Sequence, residues 1–86
     1  MNRTFENTII EVTEDDISHG TACVCGACPI ARAVRRETGA NDVDVTQRRI
    51  RIGKERFVVP KRAKRFILNF DNEWSVKPFS FRLELK

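Results

Sequence analysis

Residues 79–85 carry the sequence Phe-Ser-Phe-Arg-Leu-Glu-Leu, in which apolar and polar side chains alternate without interruption. Successive side chains of a β-strand point to opposite faces, so this alternation predicts a strand with one buried and one solvated face. It is the strongest strand signal in the chain. A small sheet with a solvated face is usually covered by helices on its other face, which indicates an α+β fold.

Two main helices are predicted upstream of this strand. The first covers about residues 29–38, where Pro29 favours an initial helical turn and Gly39 favours a stop. The second begins at Pro60 and runs for about ten residues, because its apolar side chains recur at i, i+3, i+4 and i+7. That apolar stripe consists of Ala63, Phe66, Ile67 and Phe70.

The remaining predicted elements are short. Residues 8–12 are rich in β-branched side chains and predict a first strand. Thr13 and Asp16 have the spacing of a capping box, which predicts one or two helical turns over 14–19 that end at Gly20. Turn residues separate three further apolar segments, which predicts a meander of strands at 43–45, 50–52 and 57–59.

The predicted order is therefore β-α-β-β(-β)-α-β. With 86 residues, the chain is expected to form a single domain spanning residues 1–86. The predicted fold is α+β, with a small, mostly antiparallel sheet of four or five strands and the two main helices on one face. The first and last strands are expected to be neighbours in the sheet.

Charge is distributed in blocks along the chain. Residues 1–47 contain four basic and eight acidic side chains, whereas residues 48–66 contain nine basic side chains and only Glu55 as an acid. Such a block attracts anionic partners and speeds their encounter at low salt. The nine predicted binding residues are Arg48, Arg49, Arg51, Lys54, Arg56, Lys61, Arg62, Lys64 and Arg65.

Three interpretations of this basic block remain open. The block could contact nucleic-acid phosphates, with Arg49, Arg51 and Arg56 on the outward face of a hairpin. It could dock onto an acidic protein surface, since electrostatics alone does not separate phosphates from carboxylates. It could also be only a solubilising face. Phe57, Phe66 and Phe70 are predicted to be core residues, so no aromatic platform for base stacking is expected beside the block.

The cysteine cluster also allows three interpretations. His19, Cys23, Cys25 and Cys28 could ligate zinc, although all four would come from ten residues with no second pair downstream. The Cys25-Gly-Ala-Cys28 segment precedes a helix, as in thiol redox proteins, but the order of the surrounding elements does not fit such a fold. The favoured interpretation is three reduced cysteines without a cofactor, with Cys28 packed beside Ile30.

Other function classes are not expected from the sequence. The chain has one His, no Tyr, no glycine-rich phosphate loop and no nucleophile–base set, so an enzyme with a small-molecule substrate is not predicted. No apolar segment approaches the roughly 20 residues of a membrane span, and no secretory stretch begins the chain. A cytoplasmic protein without a membrane partner is expected.

Both ends of the chain resemble a known group of sequences. The segments are Thr13-Glu-Asp-Asp-Ile17 followed by Gly20, Cys28-Pro-Ile-Ala31, Phe70-Asp71, and Pro78-Phe-Ser-Phe-Arg-Leu83. This pattern is similar to that of short proteins encoded by tailed bacteriophages and prophages, and the resemblance implies action in the cytoplasm of an infected or lysogenic bacterium. Cys23 and the basic middle are not part of the pattern, so individual function is expected in the middle block.

These observations together predict a non-enzymatic binding protein. Small phage proteins of this kind are often host-takeover factors or inhibitors of host defence, such as anti-CRISPR proteins, and the resemblance implies a similar role. The basic block would then occupy a surface of a host protein or nucleoprotein complex. The alternative is a small nucleic-acid-binding accessory protein that contacts phosphates through the same block.

Overall fold

Three helices and five strands follow one another along residues 5–86, the part of the chain that the computed structural model describes. The elements are β1 (Ile9–Val12), α1 (Glu14–His19), α2 (Pro29–Thr38), β2 (Val43–Val45), β3 (Ile50–Ile52), β4 (Glu55–Phe57), α3 (Lys61–Asp71) and β5 (Phe79–Arg82). The predicted α+β class is confirmed. The order matches the predicted one once the short helix predicted over 14–19 is counted as α1, and the strand predicted at 57–59 instead covers Glu55–Phe57. None of the three helices has the length and hydropathy that a bilayer crossing requires.

The five strands form two antiparallel sheets rather than the one sheet that was expected: one has the order β1-β5 and the other the order β2-β3-β4. The C-terminal residues link them, because Leu85 forms an isolated antiparallel bridge with Phe57. The Val58 N–H also donates to the Glu84 carbonyl at 2.7 Å. The predicted strand at 79–85 is therefore split. Its first part pairs with β1, as expected for the first and last strands, and its end pairs with β4.

One hydrophobic cluster holds the helices against the strands. In β1 and β5, Ile10, Val12 and Phe81 are buried, whereas their neighbours Ile9 and Arg82 are exposed. The same cluster contains four buried residues of α2 and three of α3, namely Ile30, Ala31, Ala33, Val34, Ala63, Phe66 and Ile67. Both main helices therefore cover the same side of the strands, and the opposite side carries polar and charged side chains.

The helix ends follow the predicted signals. The Thr13 side chain accepts the backbone N–H of Asp16 at 3.2 Å, and the Asp16 carboxylate accepts the Thr13 N–H at 2.9 Å. This is the predicted capping box of α1. Gly39 ends α2 with φ +78°, a left-handed conformation that favours glycine, and its N–H donates to the Arg35 carbonyl.

Candidate anion-binding surface

Two of the three arginines of α2, Arg32 and Arg36, form ion pairs with acidic residues of α1, whereas Arg35 donates to the Gly26 carbonyl. Arg36 donates to the Asp16 carboxylate at 2.6 Å, and Arg32 lies within 3.5 Å of Asp15. Burial alone would raise the pKa of Asp16, but the hydrogen bonds from Arg36 and Thr13 outweigh it and hold that pKa below its ordinary value. The charges of Asp15, Asp16, Arg32 and Arg36 are therefore paired with one another.

Arg51 is also paired, although it belongs to the basic block. It lies opposite Asp44 in the β2–β3 register, and its guanidinium donates to the carboxylates of Asp42 and Asp44. The hydrogen bonds to Asp42 and then to Asp44 raise the pKa of Arg51, and the same contact lowers the pKa of Asp42. The side chain does face outward, as predicted, but Asp42 and Asp44 already balance its charge, so Arg51 is less available to an external anion than the other cations of the block.

The other cations of the hairpin region are exposed. Arg48 and Arg49 lie in the turn before β3, where the Thr46 hydroxyl accepts both of their backbone N–H groups at 3.1 and 3.2 Å. Lys54 lies in the β3–β4 turn. Arg56 is opposite Arg51 in the β3–β4 register and exposed on the outward face. These side chains form the hairpin part of the predicted block.

Helix α3 carries the second part of the block at its N-terminal end. Lys61, Arg62, Lys64 and Arg65 are all exposed, while Ala63 and the following Phe66 and Ile67 are buried. On the helical wheel, Lys61, Lys64 and Leu68 are neighbours at i, i+3 and i+7, with Arg65 beside them. Leu68 is 41% exposed although it is a large apolar residue. We call Lys61, Lys64, Arg65 and Leu68 the α3 cationic face.

Within the described residues, Arg51 is the one cation of the block that forms an internal ion pair. Across the described range 5–86, no carboxylate lies within 4.0 Å of the other eight basic side chains. These are Arg48, Arg49, Lys54, Arg56, Lys61, Arg62, Lys64 and Arg65. Within the described residues, the fold therefore pairs Arg32, Arg36 and Arg51 with acids and leaves most of the central block available to an external anion.

A cleft adjoins the α3 cationic face. It has a volume of about 330 Å³ and lies between α3 and the segment of residues 75–79. Arg62, Arg65 and Lys77 line it together, and its apolar lining includes Phe66 and Phe79. No acidic residue belongs to the described lining of this cleft. We call it the α3–75–79 cleft.

The cysteine cluster lies on a loop that packs against the end of α3. Cys28 is buried at the N-cap of α2, where its sulfur accepts the Ala31 N–H at 3.4 Å, and burial raises the pKa of its thiol. Cys23 and Cys25 are exposed, and the Cys23 N–H donates to Asp71 at 3.0 Å. His19, the fourth proposed zinc ligand, ends α1 and contacts Asp15 instead.

The three thiols share a recess of about 190 Å³ with Asp71. Within residues 5–86, no three His, Cys, Asp or Glu side chains are grouped closely enough to hold a metal ion. The described arrangement thus does not bring the proposed zinc set His19, Cys23, Cys25 and Cys28 together. The buried position of Cys28 agrees with the favoured interpretation of a packed thiol.

Several features of this surface were not found from the sequence. Leu68 lies outside the predicted apolar stripe of α3. Its exposure among cations could therefore have been predicted from its place on the helical wheel. Lys77 joins the cleft only because the loop after α3 returns beside that helix. Trp74 is 66% exposed and lines a neighbouring recess with Phe70. Comparisons with protein-family models, curated proteins and solved structures found no match.

Proposed function

We propose that the chain is a non-enzymatic binding protein of phage origin that acts in the bacterial cytoplasm. It uses the α3 cationic face to occupy an acidic surface of a host protein complex. By this occupancy it inhibits a host process, either in host takeover or in the suppression of host defence. An inhibitor of this type acts stoichiometrically and requires no catalytic group.

The observation that carries this proposal is the position of the cations at the start of α3. The N-terminus of a helix bears a partial positive charge, and each exposed cation there costs about 0.3–1 kcal/mol of stability. Helix α3 begins with Lys61, Arg62, Lys64 and Arg65, has no acid in its first turn and has no side-chain cap. By contrast, the first turn of α1 carries three acids. The arrangement in α3 opposes helix stability, so binding explains it better than folding does.

The exposed Leu68 favours a protein partner over a nucleic acid. Protein interfaces combine apolar contacts with arginine at their centre, whereas contacts to phosphates gain nothing from an apolar side chain. Leu68 lies one helical turn after Lys64 and Arg65, so cations flank it on its N-terminal side. An amphipathic helix with this pattern fits a groove that has an apolar floor and acidic walls.

Nucleic-acid binding is the second candidate, and the hairpin cations favour it. Arg48, Arg49 and Arg56 are exposed without ion pairs in the described chain, and the Thr46 turn and the β4 strand hold them on the hairpin. Binding through these residues alone would follow phosphates without reading sequence. Its affinity would fall linearly in log salt, with a slope set by the number of phosphate contacts.

Affinity capture from bacterial lysate, with and without nuclease, tests the proposal. We expect the wild-type protein to retain a discrete host protein complex after nuclease treatment. The double variant Lys61→Glu, Lys64→Glu should lose that complex. The matched control is Arg82→Glu, Lys86→Glu, which changes two exposed cations elsewhere and brings the formal net charge from +4 to the same value of 0. The control should retain the complex.

Two results would overturn this proposal. If all captured material disappears with nuclease, the partner is a nucleic acid. If both double variants lose the complex equally, net charge rather than the α3 cationic face determines binding. Far-ultraviolet circular dichroism should show the same fold in both variants, because exposed charges contribute little to stability.

A further inference from the structure

The α3–75–79 cleft has the features of a peptide-binding site. One wall is α3, and the other is the irregular segment that precedes β5. In the described part of the chain, the backbone groups of residues 75–77 make no hydrogen bond to other protein groups. Such groups can pair with the backbone of a bound segment, as in strand addition. The backbone of residues 75–77 therefore has donors and acceptors that the described fold leaves unused, and bonds to them would not depend on the side chains of the ligand.

The cleft also supplies charge and an apolar contact. Arg62, Arg65 and Lys77 line it without an opposing acid in the described lining, so the cleft complements an anionic ligand. Phe66, Phe79 and Val76 provide its apolar surface. These two kinds of contact lie within one volume of about 330 Å³, which is large enough for a few residues of a peptide.

We infer that this cleft binds an acidic peptide segment that carries one bulky apolar side chain between its carboxylates. The inference rests on the proposed function, because the segment would belong to the host protein that the α3 cationic face contacts. The carboxylates pair with Arg62, Arg65 and Lys77, and the apolar side chain packs against Phe79 and Val76. The backbone of the segment hydrogen-bonds to residues 75–77.

The state of the aromatic rings favours a peptide over a single-stranded nucleic acid. Binding of single strands without sequence preference relies on exposed ring faces that stack on bases. Phe66 is only 6% exposed, and its ring lies 5.0 Å from that of Phe79. Phe79 in turn stacks on Phe81 at 5.7 Å. The rings of the cleft are therefore buried or packed against other rings, which leaves less ring surface for stacking on a base than for contact with an aliphatic side chain.

Fluorescence anisotropy with defined probes tests this inference on the full chain. The first probe is a labelled peptide with two glutamates on each side of a leucine. A second probe replaces the leucine with serine, and a third replaces the glutamates with glutamines. A fourth probe carries an N-methyl group on the leucine, which removes one backbone donor. We expect the first probe to bind at least about tenfold more tightly than each of the others.

Variants locate the binding site. The double variant Arg62→Glu, Lys77→Glu should weaken binding of the first probe by at least about tenfold. The matched control Arg82→Glu, Lys86→Glu carries the same change in net charge and should bind the probe as the wild type does. Equal loss in both variants would overturn the assignment to the cleft. Equal binding of the leucine and serine peptides would overturn the apolar contact.

The remaining outcomes separate this inference from the proposed function. If the host complex is captured through Lys61 and Lys64 but the leucine peptide does not bind, the cleft inference fails and the proposed function stands. If a labelled oligothymidylate of equal charge competes for the cleft and binds more tightly than the peptide, the cleft inference is also overturned. If the peptide binds at the cleft but no host protein is captured, the proposed function fails.

Discussion

Replacing Asp16 with asparagine should destabilise the fold at neutral pH and remove part of its pH dependence. Asp16 is fully buried, and its carboxylate accepts hydrogen bonds from the Thr13 N–H, the Thr13 hydroxyl and the Arg36 guanidinium. Its two oxygens serve the helix cap and the arginine separately. An asparagine keeps one acceptor oxygen and replaces the other with an amide NH₂ group, so it cannot serve both sets of donors.

The cost follows from the contacts that are lost. A hydrogen bond to a charged group contributes about 1.5–3 kcal/mol, and a helix cap contributes about 1 kcal/mol. We expect Asp16→Asn to lower the free energy of unfolding by about 2–3 kcal/mol at pH 7. The whole domain is expected to have a free energy of unfolding of about 4–13 kcal/mol, since native proteins have about 0.05–0.15 kcal/mol per residue. The expected fall in Tm is about 10–20 °C.

The pH dependence has a definite sign. The pKa of Asp16 lies below its ordinary value of 3.8 in the folded protein, so folding favours the ionised carboxylate. Its contribution is fully present above the unfolded pKa and is lost as the pH falls through the folded pKa. The difference in free energy of unfolding between wild type and Asp16→Asn should therefore be largest near neutral pH and should shrink as the pH falls below about 4.

Urea unfolding followed by circular dichroism at a series of pH values measures this difference. The matched control is Asp15→Asn on the same helix, because the Asp15 side chain is 72% exposed and its ion pairs face water. The control should change stability by no more than about 0.5 kcal/mol. A similar small loss for Asp16→Asn at pH 7, or a difference that does not shrink in acid, would refute the account of Asp16.

Three further predictions concern the core and the cysteine loop. Phe66→Ala should cost about 3–5 kcal/mol in urea unfolding because the ring is buried; a loss under 1 kcal/mol would show that α3 is not packed as described. Gly20→Ala should lower the Tm, since its added Cβ would lie 2.6 Å from the Pro29 ring; an unchanged Tm would contradict that approach. The Cys23→Ser and Cys25→Ser variants should melt within about 2 °C of wild type, because both thiols are exposed, and the purified protein should contain zinc only at background. A larger fall in Tm, together with stoichiometric zinc in the wild type, would support the metal site instead.

Most elements were predictable because their signals are local. The predicted helix at 29–38 matches α2, and Pro60 does precede α3. The capping box of Thr13 and Asp16 depends on three residues of spacing and was found from the sequence. Proline, glycine and capping residues act through the backbone within one turn, so their effect survives in any tertiary context.

The split of the last strand was not predictable from its pattern. Alternation continues to Leu85, but β5 ends at Arg82 and the chain then pairs with β4 through Leu85. The alternation indicates only which side chains face the core. The same side chains face the core whether the segment pairs with β1 or with β4, so the pattern does not show the change of partner. The partner depends on where β1 ends and β4 begins in space.

The candidate surface was only partly predictable. The density of positive charge in 48–66 was evident, and the exposure of Lys61, Lys64 and Arg65 followed from the helical wheel. The pairing of Arg51 with Asp42 and Asp44 could not be predicted, because it depends on the register of β2 with β3. Lys77 joined the cleft for a similar reason, because a loop of unknown course had to return to α3.

The α+β class, the positions of the helices, the buried faces of β3 and β5 and the block of basic charge follow from the sequence. These depend on periodicity and on neighbours in the chain. Tertiary structure alone decided which cations keep a free charge and which loop completes the cleft beside α3. Ion pairing and cleft formation depend on distances of a few ångströms between residues far apart in sequence, and only the packed fold sets those distances.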